Sequence, residues 1–315
     1  MKKFLLSVLA MAVCSAMAFP WGSAGHAYID SRLFNDYGPL MQANAVYGGM
    51  APDVFDYVFS VSCKADISNA THTQFGAIWD SVWNRPGKSL AYGFVSHNDL
   101  WGADFTAHHS GITYGSAEGY IITKARLLMQ AAPLPPELPI PSELALELYH
   151  NFVETAVDVL IKRIDPAIGR KMTSAALLRT PLFPVVMARA YKYQFAPCFG
   201  SAAIAAEAMA AAEKEFRKSI ILYGQSLCQD EGTAVQLLSE QTADLAAGFL
   251  GAPLPISKEE ATALVVQLVQ GAMQLCENDF AAELEATVVQ VGNRMNAEGF
   301  VLAWESRDSK SESGN

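Results

Sequence analysis

The chain has 315 residues, of which 51% are hydrophobic and only 17% charged, and it carries a net charge of −10. This composition excludes a disordered chain, which needs low hydrophobicity and high charge, and a miniature scaffold held by disulfides. It also lacks the basic face needed to follow a phosphate backbone, so no extended nucleic-acid surface is expected.

The length fits one large domain or two small ones. Met1-Lys2-Lys3, an apolar run from Phe4 to Val13 and Ala16-Met17-Ala18 have the order of a signal peptide spanning residues 1–18, cleaved after Ala18. The apolar run is shorter than the ~20 residues of a spanning helix, and no later stretch supplies a transmembrane segment. A protein that is secreted or periplasmic is therefore expected. Without Lys2 and Lys3 the balance is 20 basic against 32 acidic residues, a net −12. A single phosphate can still be bound if metal ions supply positive charge.

Trp21-Gly-Ser-Ala-Gly-His26 follows the signal, and Pro52-Asp53 places an acid at a turn or helix start. His72 lies in a polar stretch, where a lone histidine is usually solvated. In the run from His97 to His108, Asp104 stands seven residues after His97 and four before His108. On one continuous helix, at about 100° per residue, these offsets return to nearly the same face. His109 and Asp99 then point elsewhere, His109 toward a supporting position behind the ligands, substrate or solvent.

Pro133–Pro141 reads as a stiff loop, because repeated prolines cannot continue a helix. Ser142 opens an apolar-periodic run, Leu144, Leu148, Phe152, Val153 and Val157, and His150–Glu154 repeats the four-residue offset. Ala202–Phe216 is rich in alanine and glutamate, which favour helix. Thr233…Gln236 and Ser257…Glu260 have the form of capping boxes. Two-residue alternation is almost absent, so the expected fold is all-α over residues 19–305. Met273, Leu275, Val288 and Val291 suit core or an oligomer surface, and the polar tail 306–315 is expected to be disordered.

All six histidines fall in the first half of the chain: His26, His72, His97, His108, His109 and His150. An imidazole and a carboxylate one helical turn apart form a two-point grip on a divalent metal. The nearby aromatics Trp101, Phe105 and Tyr149 suit core packing, lipid contact or base stacking. Cys63, Cys198, Cys228 and Cys276 form no C-x-x-C pair, which argues against a thiolate zinc site; three pairings and buried free thiols all remain open.

The ordered set Trp21-x4-His26, Pro52-Asp53, His72, His97…Asp104…His108 and His150-x3-Glu154 resembles the zinc-dependent phospholipase C family, whose all-helical fold the single-strand-specific zinc nucleases share. The resemblance covers about residues 21–154 and leaves a helical C-terminal extension, 166–305. It implies up to three zinc ions in a cleft between helices. Asp53, His72, His97 and Asp104 would hold one, and His108, His150 and Glu154 a second. His26, Asp104 and the main chain of Trp21 would hold the third, with Asp104 bridging. Cleavage after Ala18 leaves Phe19 and Pro20 ahead of Trp21, whereas the family has this tryptophan at the terminus. The family also spaces histidine and aspartate by one turn, not two. Glu154 resembles the phospholipase branch and the Trp21–His26 spacing the nuclease branch.

The implied activity is phosphodiester hydrolysis, with phospholipase C-type cleavage of phospholipid by a metal-bound hydroxide, transient membrane-surface contact, and Asp53 as ligand and proton acceptor. The alternatives are a single-strand-specific nuclease and a binding protein that kept the fold after losing catalysis.

Overall fold

Helical periodicity and caps dictate the elements. The computed structural model describes residues 21–58, 63–114, 117–136, 138, 140, 142–250 and 256–302. The expected signal 1–18, Phe19, Pro20, the tail 306–315 and part of the proline-rich loop (137, 139 and 141) lie outside the described residues. Every regular element among the described residues is helical, so the protein is all-α. In chain order these are α1 (Ser23–Leu33), α2 (Pro39–Met50), a 3₁₀ helix (Ala51–Tyr57), α3 (Lys64–Thr73), α4 (Gly76–Asp80), α5 (Arg85–His97) and α6 (Ala103–His108). Then follow α7 (Tyr120–Ala131), α8 (Ser142–Ile164), α9 (Ile168–Leu178), α10 (Phe183–Phe199), α11 (Ala202–Leu227), α12 (Glu231–Leu250), α13 (Lys258–Cys276) and α14 (Phe280–Ala297).

Local chemistry sets the helix ends. The Ser257–Glu260 capping box opens α13 as expected. The Thr233…Gln236 box does not form: Asp230 caps α12, accepting the Thr233 amide at 3.0 Å and its hydroxyl at 2.6 Å. A carboxylate three residues upstream is the better cap, because it also meets the positive end of the helix dipole.

The central helix is α8, which buries Leu144, Leu148, Phe152, Val153 and Val157 and packs against α1, α7, α12 and α13. Asp158 on α8, fully buried, accepts the amides of Ala24 and Gly25 at 3.0 and 2.9 Å and the Tyr223 hydroxyl at 2.9 Å. It thereby caps α1, whose own N-cap residue, Gly22, has no side chain. Burial pushes this carboxyl up to about 7.

The tightest crossing is between α2 and α5. A Cβ on Gly48 would fall 2.0 Å from the Leu90 carbonyl oxygen, and one on Gly93 would fall 1.9 Å from that of Ala45. Only glycine permits this approach.

The C-terminal helices are integral to the first half. Buried Glu283 on α14 accepts the amides of Ile112, Thr113 and Tyr114. Thr287 on the same helix meets Thr106 on α6 at 3.0 Å. Met273 and Val291 are core. Cys63 and Cys198 form a disulfide that joins the start of α3 to α10, while Cys228 is an exposed thiol and Cys276 a buried one.

A Gly93→Ala substitution is expected to lower stability by about 3 kcal/mol, because the clash is with backbone and cannot relax through a rotamer. Gly38→Ala, with open space around the new Cβ, serves as the control and is expected to stay within about 0.5 kcal/mol. Denaturant unfolding measures both.

Candidate metal centre

Six helical elements deliver the expected ligands. His26 comes from α1, Asp53 from the 3₁₀ helix and His72 from the last turn of α3. His97 ends α5, and α6 carries Asp104 and His108. His150 and Glu154 stand one turn apart on α8, the sixth contributing segment.

The expected continuous helix through His97, Asp104 and His108 is not formed. Asn98 stops α5 by turning its side-chain oxygen onto the amides of Leu100 (2.9 Å), Trp101 (3.0 Å) and Gly102 (3.3 Å). At Gly102 a Cβ would lie 2.5 Å from the carbonyl oxygens of Ser96 and Asn98, so this turn needs glycine. Asp104 thus reaches His97 across a break between two helices. Asparagine competes locally for backbone amides, which periodicity alone does not register. His72 is not solvated, as a lone histidine in a polar stretch usually is, but buried by the close packing of α3 on the 3₁₀ helix.

His26, Asp53, His72, His97 and Asp104 converge. His97 Nε2 lies 3.0 Å from Asp104 Oδ2 and 3.6 Å from Asp53 Oδ1. His72 Nε2 lies 3.3 Å from Asp53 Oδ1 and 3.5 Å from Asp104 Oδ2. His26 Nε2 lies 3.3 Å from the other Asp104 oxygen, Oδ1, and its ring stacks on that of His97 with centroids 3.9 Å apart. Asp104 therefore turns one oxygen to each of two groups, and His97 belongs to both.

A second group adjoins the first through α6. His150 Nε2 sits 2.7 Å from Glu154 Oε1 and 3.0 Å from His108 Nε2. Asp99, expected to point elsewhere, stays out of the first group and faces the edge of the second. Its Oδ1 lies 2.9 Å from His109 Nε2 and 3.7 Å from His108 Nδ1, tying the exposed His109 to the rim.

These donors fit a cation better than they fit one another. Of the 14 buried side-chain nitrogen and oxygen atoms without a hydrogen-bond partner among the described residues, ten belong to His26, Asp53, His72, His97, Asp104, His150 and Glu154. They approach closely, yet aim past each other. A tetrahedral zinc ion with bonds of about 2.0–2.1 Å sets its ligand atoms about 3.3 Å apart, close to the separations found. Outer partners fix the rings. His97 Nδ1–H donates to the Gly49 carbonyl at 2.6 Å and His72 Nδ1–H to the Ser68 carbonyl at 2.7 Å. A carbonyl only accepts, so the Nε2 atoms are the ones that face the centre.

The electrostatics agree. Burial holds His97 down at about 4 and, with Asp99 opposing, His108 down at about 4. Burial also opposes charge on His72, but the Asp53 and Asp104 carboxylates outweigh it and raise this imidazole to about 10. Glu154 and Glu147 likewise raise His150 to about 10 against burial. Burial pushes Asp104 well above the carboxylate range and Glu154 to about 8. Without a metal, protons on His72 and His150 supply the positive charge.

Of the remaining candidates Trp21, Trp101 and Tyr149 are core, whereas Phe105 is half-buried, its ring centre 5.7 Å from that of His109. The Trp21 indole donates to Thr106 at 3.0 Å and stacks on Tyr120, bracing α6. Trp101 packs on Phe75 and Phe300, and the Tyr149 hydroxyl donates to the Ala132 carbonyl, so neither is an exposed stacking platform. A cavity of about 490 Å³ borders Glu154, walled by Asn151 and Thr155 of α8, Ser219 and Tyr223 of α11, and Tyr57. No protein-family model, curated protein or solved structure matches the chain.

Zinc uptake at pH 7 is expected to release at least two protons per chain, one each from His72 and His150, and to strengthen as pH rises toward 10. Calorimetric titration in buffers of different ionisation enthalpy counts them. His97→Ala removes the nitrogen common to two donor groups and is expected to lower zinc per chain by more than one, as elemental analysis would show.

Proposed function

We propose that this protein is an exported zinc-dependent phosphodiester hydrolase of phospholipase C type. The observation that carries the reading is the set of buried, mutually unsatisfied imidazole and carboxylate atoms at ligand spacing. The order of those residues resembles the zinc-dependent phospholipases C. Export is supported by the Cys63–Cys198 bond, since disulfides persist in oxidising compartments.

Asp53, His72, His97 and Asp104 would hold one zinc ion, and His108, His150 and Glu154 another. A third would rest on His26, the second oxygen of Asp104 and the main chain of Trp21. Bound zinc ions supply a nucleophilic water at neutral pH and neutralise a phosphate. The chain's own residues orient and exclude. Asp53 faces His72 and His97 through Oδ1, which leaves Oδ2 free of hydrogen bonds and able to accept a proton from the attacking water. Hydrolysis joins that water oxygen to phosphorus, breaks the ester P–O bond, and returns a proton to the leaving oxygen. The cavity beside Glu154 has a partly polar wall, made by Ser219, Thr155, Tyr57 and Asn151. The burial of Trp101 and Tyr149 removes two candidate platforms for stacked bases, which favours lipid over single-stranded nucleic acid.

Zinc-loaded protein is expected to release phosphocholine from phosphatidylcholine faster than it digests single-stranded DNA. A chelator should abolish both reactions and added zinc restore them. Asp104→Asn is expected to lower kcat at least about 100-fold, or about 2.7 kcal/mol of barrier. Undiminished activity in that variant would overturn the mechanism. Faster DNA digestion would assign the nuclease function, and inertness toward every diester with zinc bound would assign the non-catalytic one.

A further inference from the structure

The negative charge of this chain is unevenly placed. Between Asp165 and Glu207 there is no acidic residue, but there are five basic ones: Arg170, Lys171, Arg179, Arg189 and Lys192. This stretch folds as α9 and α10. Arg179 is buried against Glu213 at 2.6 Å, and Lys171 pairs with Asp165 at 2.6 Å. Arg170 and Arg189 are exposed and Lys192 partly so.

Helix α10 has two unlike faces. Phe183, Val186, Met187, Tyr191 and Phe195 are buried. The outward stripe runs Leu182, Val185, Arg189 and Tyr193, at helical spacing, with Val185 62% and Tyr193 75% exposed. Leu177 and Leu178, at the corner where α9 ends, extend the apolar surface. Trp83, 70% exposed, lies flat beneath the Arg189 guanidinium, 4.9 Å from its ring centre. Between Trp83 and α10 opens a cleft of about 270 Å³, lined by Val82, Leu182, Val185 and Val186, with Arg189 also on its wall.

A water-facing helix ordinarily presents charges of both signs, not leucine, valine and aromatic rings. Apolar and aromatic side chains interleaved with cations alone are the composition of surfaces that lie in a lipid headgroup layer. Each lysine or arginine near an anionic leaflet adds attraction, which this face provides although the whole chain is acidic. A second copy of the chain is a poorer occupant, because a two-fold interface would set Arg189 and Lys192 against their own counterparts. A phosphate backbone would leave Leu182 and Val185 unmatched. No single described helix is long and apolar enough to cross a membrane; α10 and α11 reach that length and composition only as a pair bent by 110°.

We propose that the α9–α10 corner, with Trp83, is a docking face for an anionic lipid bilayer. The inference stands on charge and exposure at this corner and does not rest on the hydrolase reading.

Sedimentation of the full chain with vesicles of phosphatidylcholine, with and without phosphatidylglycerol, tests it. Binding is expected only to the vesicles containing phosphatidylglycerol, with a blue shift in tryptophan fluorescence. The double variant R189E/K192E is expected to lower the partition coefficient at least about tenfold, and Val185→Asp to lower it as well. Lys258→Glu, an exposed cation on α13, is expected to change little. All variants should keep wild-type helicity and zinc content. Equal binding to both vesicle types, indifference to R189E/K192E, or no binding by folded protein would overturn the proposal. Complete displacement by millimolar inorganic phosphate would show a free-anion site and overturn it too. So would a dimer dissolved by R189E/K192E, or vesicle binding lost in His97→Ala but kept in R189E/K192E. Retained binding in His97→Ala would support the docking face even if no diester is hydrolysed.

Discussion

Asp53 and Asp104 lie almost fully buried among His26, His72 and His97, and removing an ionised carboxylate from water costs several kcal/mol unless it is paired. In most helical proteins such groups are satisfied by hydrogen bonds from their neighbours. Here the neighbours approach to 3.0–3.6 Å and still form no hydrogen bond, because all of them aim at shared points. The arrangement is stable with protons on His72 and His150, and it is suited to exchanging those protons for divalent cations. Much of the surrounding architecture holds this set, unsatisfied by hydrogen bonds, in place.

The holding is done by backbone as much as by side chains. The α2–α5 crossing brings the Gly49 carbonyl to His97 Nδ1, and that closeness depends on Gly48 and Gly93 lacking a Cβ. Buried Asp158 joins the helix of His26 to the helix of His150 and Glu154 by accepting two amides of α1. Each of these groups touches a ligand-bearing helix without itself facing the centre. Small displacements at any of them would shift the imidazole and carboxylate atoms that converge at the candidate centre.

The helices after Glu154 are equally part of the site. Glu283 on α14 ties down the loop that follows α6, and α11 and α12 wall the cavity beside Glu154. The C-terminal half therefore completes the cleft begun by the ligand-bearing half. Its α9–α10 corner meanwhile gives an acidic protein a basic and apolar surface.

Much of the ligand set was legible in the sequence because its signals are local. His150 and Glu154 lie one turn apart on α8, and a helix brings such a pair together whatever surrounds it; Asp104 and His108, spaced alike on α6, serve two different groups. The all-α fold follows from periodicity in the same way. His97 and Asp104 do meet, but not on the one helix that the seven-residue offset predicts: Asn98 breaks it and the second helix returns. Asp99 was passed over because its partners, His108 and His109, depend on that turn. Nothing in the sequence singles out the Gly49 and Ser68 carbonyls, or Asp158, as supports, nor the Cys63–Cys198 pairing among the three possible ones. By itself, then, the sequence determined the helical class, the His150–Glu154 pair within a single turn and the acid-free stretch from 166 to 206. Tertiary structure alone decided that His26, Asp53, His72 and His97 meet, since contacts between residues tens of positions apart depend on how helices pack, and no short-range period encodes that.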